Sequence, residues 1–294
     1  MLKLTDVTLA YGKKVVLDHL NLTFRSGEIV GLVAPNGTGK STLLNVILHD
    51  LRPQTGFVTY EGMRYRNEKE TILLHQKICA FPDQSDLFPD MTGRDHLRLY
   101  ADLWGNHRFS VESVVSRLRM TDYIDRKTKT YSLGMKQRLC FAMVVAADTP
   151  VMLLDEIMNG LDPQNVRLIS AVLLQLKQEG KLLIMASHLL PNLQVYADRV
   201  LFLKDGKIVK DFDNNHDQDH YLKIVVKNDQ VRELLAPYHD EIFENDLAVL
   251  PMTQLTDEAL AKLTVALAKA HVPYTIDRID VSEWFEKIYD TPKY

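Results

Sequence analysis

The chain has 294 residues, 46% of them hydrophobic and 25% charged, which suits one large globular domain with a smaller one beside it. A formal net charge of -4 gives no overall basic bias, so no nucleic-acid partner is expected. The start, MLKLTDVTLAYGKK, lacks the apolar core of a signal peptide. The longest apolar run, residues 139–147, is well short of the roughly twenty residues a spanning helix needs. The expectation is a chain that does not cross a membrane by itself. The two cysteines, Cys79 and Cys140, sit in separate apolar runs and are expected to be buried free thiols rather than a metal or redox pair.

In chain order, residues 1–30 read as short strands, LKLTDVTL, KVVLDHL, LNLTF and EIVGLVA, with turns at Tyr11-Gly12-Lys13 and Ser26-Gly27. Residues 27–34 are apolar except for Glu28, as in a strand buried on both faces. The loop PNGTG follows, then KSTLLNVIL as a helix and GFVTY as a strand. Between about 91 and 129 the spacing turns helical (Leu97, Leu99, Leu103; Val111, Val114, Val115, Leu118), and Trp104 falls here as a packing residue. Strands return at VMLLD, LLIMAS and VLFL, with an amphipathic helix carrying Val166, Ile169, Leu173 and Leu176 between the first two. Strands alternating with helices predict an α/β core with a largely parallel sheet. The stretch DFDNNHDQDH reads as a polar linker; His216 and Leu222 stand where a calcium loop needs Gly and Glu. Beyond it, YLKIVVK, DQVRELLAPY, TDEALAKLTVALAKAH, PYTIDRID and VSEWFEKIY predict a small α+β unit, with Trp284 as a further packing residue.

The chemistry concentrates in three runs. Ala34-Pro35-Asn36-Gly37-Thr38-Gly39-Lys40-Ser41-Thr42 follows a buried strand and opens a helix, the context of a phosphate-binding loop. Its glycines let backbone amides curl around phosphates at a helix N-terminus, Lys40 reaches the terminal phosphates and the Ser41 hydroxyl suits Mg²⁺. Ala34 replaces the first glycine of the usual pattern. VMLLDE ends an apolar strand in two carboxylates: Asp155 to hold Mg²⁺ through water, Glu156 to orient or deprotonate the attacking water. The third run is Tyr131-Ser132-Leu133-Gly134-Met135-Lys136-Gln137-Arg138, which by itself reads as a helix start capped by Ser132.

That third run resembles a variant of the LSGGQ signature of the ABC transporter ATPase family, with Ser132 and Gly134 kept, Tyr131 at the Leu position, Leu133 at the first Gly and Met135 at the Gln. The resemblance covers residues 1 to about 215. It implies a P-loop NTPase ABC cassette over 1–215, with an antiparallel β subdomain and a helical insertion near 91–130, and leaves residues 221–294 as a small C-terminal α+β domain. It implies that ATP is bound with Mg²⁺ and hydrolysed. Tyr11 would stack on adenine, Asn159-Gly160-Leu161-Asp162 would be the D-loop, and His188 the switch histidine at the γ-phosphate. Ser132 and Gly134 would reach across a dimer to the γ-phosphate held by the other subunit. The Q-loop falls in Phe81-Pro82-Asp83-Gln84-Ser85-Asp86-Leu87-Phe88-Pro89, where the family spacing points to Asp83 and the chemistry to Gln84. Either oxygen can ligate Mg²⁺. Charge repulsion from the phosphates favours Gln84, with Asp83 turned to solvent or the helical insertion.

The resemblance further implies a homodimer or heterodimer of cassettes and a separate membrane permease subunit, docked at the helical insertion. The chain would be cytoplasmic, peripheral at the inner face of the cell membrane. YSLGMKQR and LFPDMTGRDHL look most like cassettes of drug, antibiotic and lantibiotic efflux systems, which favours export. The alternatives are an importer ATPase and a soluble ABC ATPase acting on ribosomes or DNA. The C-terminal domain, free of nucleotide motifs, is expected to regulate the cassette or support its dimer.

Overall fold

Alternation of apolar and polar residues over the first 24 positions produces two long antiparallel strands, β1 (Leu2–Tyr11) and β2 (Lys14–Phe24). KVVLDHL and LNLTF, expected as two strands, are one. β2 carries an extra residue at Asp18-His19, where His19 takes φ 51°. The His19 amide donates to Thr8 Oγ1 at 3.0 Å and its Nδ1 meets Asp6 Oδ1 at 2.7 Å. What looks like a strand end in sequence is therefore a bulge. The computed structural model describes residues 1–105, 110–187, 190–214, 220–226, 229–238, 241–243 and 247–289. These fall into two units, Met1–Phe212 and Asp213–Tyr294.

In the first unit, β3 (Ile29–Val33) is buried at every position and leads into α1 (Lys40–Leu48). β4 (Thr55–Tyr60) then returns to pair with β1, and β5 (Met63–Arg64) closes an antiparallel sheet of order β2-β1-β4-β5. Gly56 permits that return: its φ is 77°, and a Cβ there would lie 2.3 Å from the carbonyl oxygens of Thr5 and Asp6. α2 (Glu68–His75) and the three-residue β6 (Ile78–Ala80) follow. Next comes the helical stretch, α3 (Gly93–Trp104), α4 (Val111–Arg117) and α5 (Leu133–Ala147). A Thr92/Asp95 capping box starts α3 and a left-handed Gly105 stops it. The apolar run 139–147 is buried throughout because α5 packs against α3 and α4.

β7 (Val151–Asp155), α6 (Pro163–Gln178), β8 (Leu182–Ala186), α7 (Leu190–Tyr196), β9 (Arg199–Lys204) and β10 (Lys207–Asp213) complete the unit. The second sheet has the order β10-β9-β3-β8-β7-β6, parallel from β9 to β6. The carboxyl ends of β3, β7 and β8 share one margin, where α/β sheets bind ligands. Asp211, Phe212 and Asp213, expected in the linker, end β10; residues 215–219 of that stretch lie outside the described residues. No helix among the described residues is long and apolar enough to cross a membrane.

The second unit runs β11 (Tyr221–Val225), α8 (Asp229–Leu235), β12 (Glu241–Phe243), β13 (Leu247–Pro251), α9 (Asp257–Lys269), β14 (Tyr274–Asp277) and α10 (Val281–Tyr289). Its sheet order, β12-β13-β11-β14 with antiparallel neighbours, is the ferredoxin-like split βαβ. Leu222 and Ile224 of β11 face Leu263 and Leu267 of α9 in one buried layer. On the alternate face, Lys223 is 8% exposed and its ammonium holds both oxygens of Glu283 at 2.7 Å. Glu283 also accepts from the Asp280 amide at the start of α10. Removing one member of such a pair leaves a charge stranded. Glu283→Ala should therefore destabilise this unit by about 2–4 kcal/mol, while Lys223→Met with Glu283→Leu should recover most of the loss. Denaturant unfolding followed by Trp284 fluorescence in a Trp104→Phe background reads the effect.

Candidate active site

The site starts where β3 runs out. Residues 34–39 turn back over its end, with Thr38 Oγ1 donating to the Pro35 carbonyl at 2.6 Å. Gly39 sits at φ 119°, and a Cβ there would come 2.8 Å from Val16 Cγ1. The first bond of α1 runs from the Leu43 amide to the Gly39 carbonyl. The amides of Lys40, Ser41 and Thr42 thus have no partner inside the helix, a concave set of donors for an anion. Lys40 is 7% exposed and its Nζ donates to the Ala34 carbonyl at 2.6 Å and the Pro35 carbonyl at 3.3 Å. Burial pulls this ammonium below its ordinary pKa, against the opposing pull of Glu156 and Asp155.

β7 brings the carboxylates to the same margin. Asp155 Oδ2 accepts from the Ser41 hydroxyl at 2.6 Å. Glu156 takes φ 53°, a left-handed conformation that non-glycine residues adopt at a cost of about 1 kcal/mol or more. It is gripped at both ends: its amide donates to the Ala186 carbonyl (2.9 Å), and its carbonyl accepts from the Asn159 amide (3.2 Å) and Gln137 Nε2 (3.1 Å). A cleft of about 300 Å³ runs from Tyr11, Lys14 and Val16 past Asn36, Gly37, Gly39, Lys40, Ser41 and Thr42 to Asp155 and Glu156. A second, of about 450 Å³, has the same two carboxylates with residues 81–84, Gln137 and Asn159. Asp155 and Glu156 stand at the joint of the two.

Beside that joint, Asp83 turns back on its own 3-10 turn. It accepts from the Ser85 amide at 2.7 Å, which holds its carboxyl below the usual range, and stays exposed. Gln84 is half-buried and donates through Nε2 to Gln137 Oε1 at 2.5 Å. Ser132 caps α5 by accepting from the Met135 amide, with Gly134 in the first turn, and Asp162 caps α6 by accepting from the Asn165 amide at 2.9 Å. Among the described residues lining the two clefts, Ser132, Gly134 and Asp162 are absent. His188 lies outside the described residues.

Sequence reasoning gave no role to Lys14 or Gln137, nor to Arg138, whose guanidinium donates to Asn165 Oδ1 beside Asp162. No local signal marked Gln137: it stands between Lys136 and Arg138 near the start of α5, and only its burial in the fold sets it apart. The donor chemistry also fits Mg²⁺. A hydroxyl and a carboxylate already in contact, Ser41 and Asp155, offer hard oxygens next to an anion cradle, and Mg²⁺ takes one or two such ligands together with phosphate.

Comparison with known proteins bears on this geometry. Residues 17–159 match the family model described as ABC transporter. The chain is 34% identical to the uncharacterized ABC transporter ATP-binding protein YhcH of Bacillus subtilis, over 74% of this chain and 72% of that protein. It is 27% identical to the lantibiotic transport ATP-binding protein SrtF of Streptococcus pyogenes, over 73% of this chain and 93% of that one. Among solved structures, an ATP-binding cassette dimer in a post-hydrolysis state with ADP and Pi superposes with a TM-score of 0.66 at 25% identity, covering 73% of this chain and 99% of that chain. Likeness at this level and over this length places the P-loop cassette fold and the ATPase activity together: the chain belongs to the ABC transporter family, as one of its ATP-binding, ATP-hydrolysing proteins.

Proposed function

We propose that this ATP-binding subunit powers export through a membrane permease on a separate polypeptide, working as a dimer of cassettes. The observation that carries the catalytic part is the joint between the two clefts, where Lys40, Ser41, Asp155 and Glu156 converge at the ends of β3 and β7. The amides of α1 and Lys40 bind the phosphates of ATP, and exposed Tyr11 at the cleft mouth stacks on the adenine. Ser41 and Asp155, with Gln84, would hold Mg²⁺, which when bound offsets phosphate charge. Glu156 accepts a proton from the attacking water, and His188 would serve as the switch histidine for the γ-phosphate. Ser132, Gly134 and Asp162 serve the nucleotide of a second cassette, in keeping with their absence from the lining of both clefts of their own chain. Exposed Phe88 and Leu103, near and on α3, supply apolar surface for a cytoplasmic helix of the permease.

Export is supported by similarity to a protein named for lantibiotic transport. The test is directional. In proteoliposomes holding the permease with this chain outside, ATP should drive an antimicrobial peptide from the outside into the lumen. ATP-driven release of preloaded peptide towards the chain's side would make the system an importer.

A further inference from the structure

We infer that Gln137 is a positioning residue for Glu156, the last link of a one-way hydrogen-bond chain that runs from Gln84 through Gln137 to the Glu156 backbone. The inference rests on the reading of Glu156 as the group that activates water. Gln137 lies one turn inside α5 and is 5% exposed. A primary amide taken out of water must satisfy both its poles, and Gln137 does so with two partners from different parts of the chain. Its Nε2 donates to the Glu156 carbonyl at 3.1 Å and its Oε1 accepts from Gln84 Nε2 at 2.5 Å.

The direction of the chain follows from its anchor. A backbone carbonyl can only accept, so Gln137 has to present its NH₂ to Glu156. Its oxygen then faces Gln84, which has to present its own NH₂ in turn. The Gln84 carbonyl is left as the outer end of the chain, on the cleft that also contains Asp155 and Glu156. Neither amide can flip without setting two like poles against each other.

The structural use of this chain lies in the strained residue it holds. Glu156 stays left-handed at φ 53° because its amide is tied to β8 through Ala186 and its carbonyl is tied by Asn159 and Gln137. Of these ties, only Gln137 comes from the helix that carries Ser132 and Gly134 at its start. The signature helix, the Gln84 loop and the Glu156 carboxylate are thereby joined through one side chain. Gln137 lines the second cleft and is absent from the lining of the first, so its loss moves the carboxylate without unmaking the phosphate cradle. Displacement of a reacting group by about 1 Å costs on the order of 100-fold in rate.

The test uses the full chain, with fluorescent ATP for binding, steady-state turnover and thermal melting. Gln137→Met, equal in length and without polar atoms, should lower kcat by about 10–100-fold and leave the nucleotide Kd within about threefold. Gln137→Glu keeps the shape but can only accept when ionised. It should be as slow at pH 8 and recover towards the unmutated rate as pH falls, because a protonated carboxyl regains an O–H to give the Glu156 carbonyl. A residue that only filled space would show no such pH-dependent rescue, and its kcat, Kd and melting temperature would fall together. Should Gln137→Met unfold, the pH profile of Gln137→Glu carries the decision alone. Unchanged kcat in Gln137→Met, in a preparation where Glu156→Gln abolishes turnover, overturns the positioning role. Retained turnover in Glu156→Gln overturns instead the reading on which it rests.

Discussion

Glu156→Gln is expected to bind Mg-ATP as well as the unmutated chain, or more tightly, while hydrolysing it about 100- to 10,000-fold more slowly. The amide has the same shape, so the left-handed backbone at φ 53° and its ties to Ala186, Asn159 and Gln137 survive the change. What disappears is the carboxylate's ability to take a proton from water. The phosphate cradle is untouched, and one negative charge is removed from beside a polyanion, which favours binding. ATP should then persist long enough to hold two cassettes together. Single-turnover hydrolysis with size-exclusion chromatography in Mg-ATP measures both effects. Near-normal turnover, with a monomer throughout, would remove Glu156 from the reaction.

Lys40→Met should fail earlier, at binding. The ammonium is buried against the Ala34 and Pro35 carbonyls, where a charged contact with phosphate is strong and its loss is not made good by water. An increase in Kd for Mg-ATP of about 100-fold or more is expected, with melting temperature little changed. The pKa shift gives a second signature. In the empty site burial depresses the Lys40 pKa below 10.5, and bound phosphate restores it. A neutral lysine must therefore regain its proton to bind, so the affinity of the unmutated chain should fall as pH rises through the depressed value. Lys40→Met should lack that alkaline limb. Isothermal titration across pH 7 to about 10 distinguishes the two chains.

The parts of this fold that sequence reading reached are those whose physics is local. KSTLLNVIL predicts α1 at its observed ends because a strand, a glycine turn and an apolar stripe all occur within twenty residues. Ser132 reads as a helix cap from its own neighbours and is one. The elements that escaped depend on partners far along the chain. β6 has three residues and exists because β7, more than seventy residues later, gives it a ladder. Asp18-His19 looks like a break until β1 lies beside it and turns it into a bulge. In the second unit an α+β pattern is legible, but β12 and β13 are short, and β13 acquires meaning only between β11 and β12. The same holds at the site. Residues 34–42 announce a phosphate cradle, whereas Gln84 and Gln137 meet across 53 positions that no local pattern connects.

β3 lies between β8 and β9, pairing Val30 with Ile184 on one side and with Arg199 on the other. Its neighbours in the sheet are thus made long after it, about 150 residues later for β8 and about 170 for β9. At ribosomal speeds of about 5–20 residues per second, that gap lasts on the order of 10–30 s. Throughout it the run IVGLV has no strand on either side, and the loop that follows has no fixed base. Such distant pairing slows folding and lengthens the exposure of an apolar strand. Of the two strands at the centre of the finished sheet, β3 is the one the nascent chain has to shelter longest.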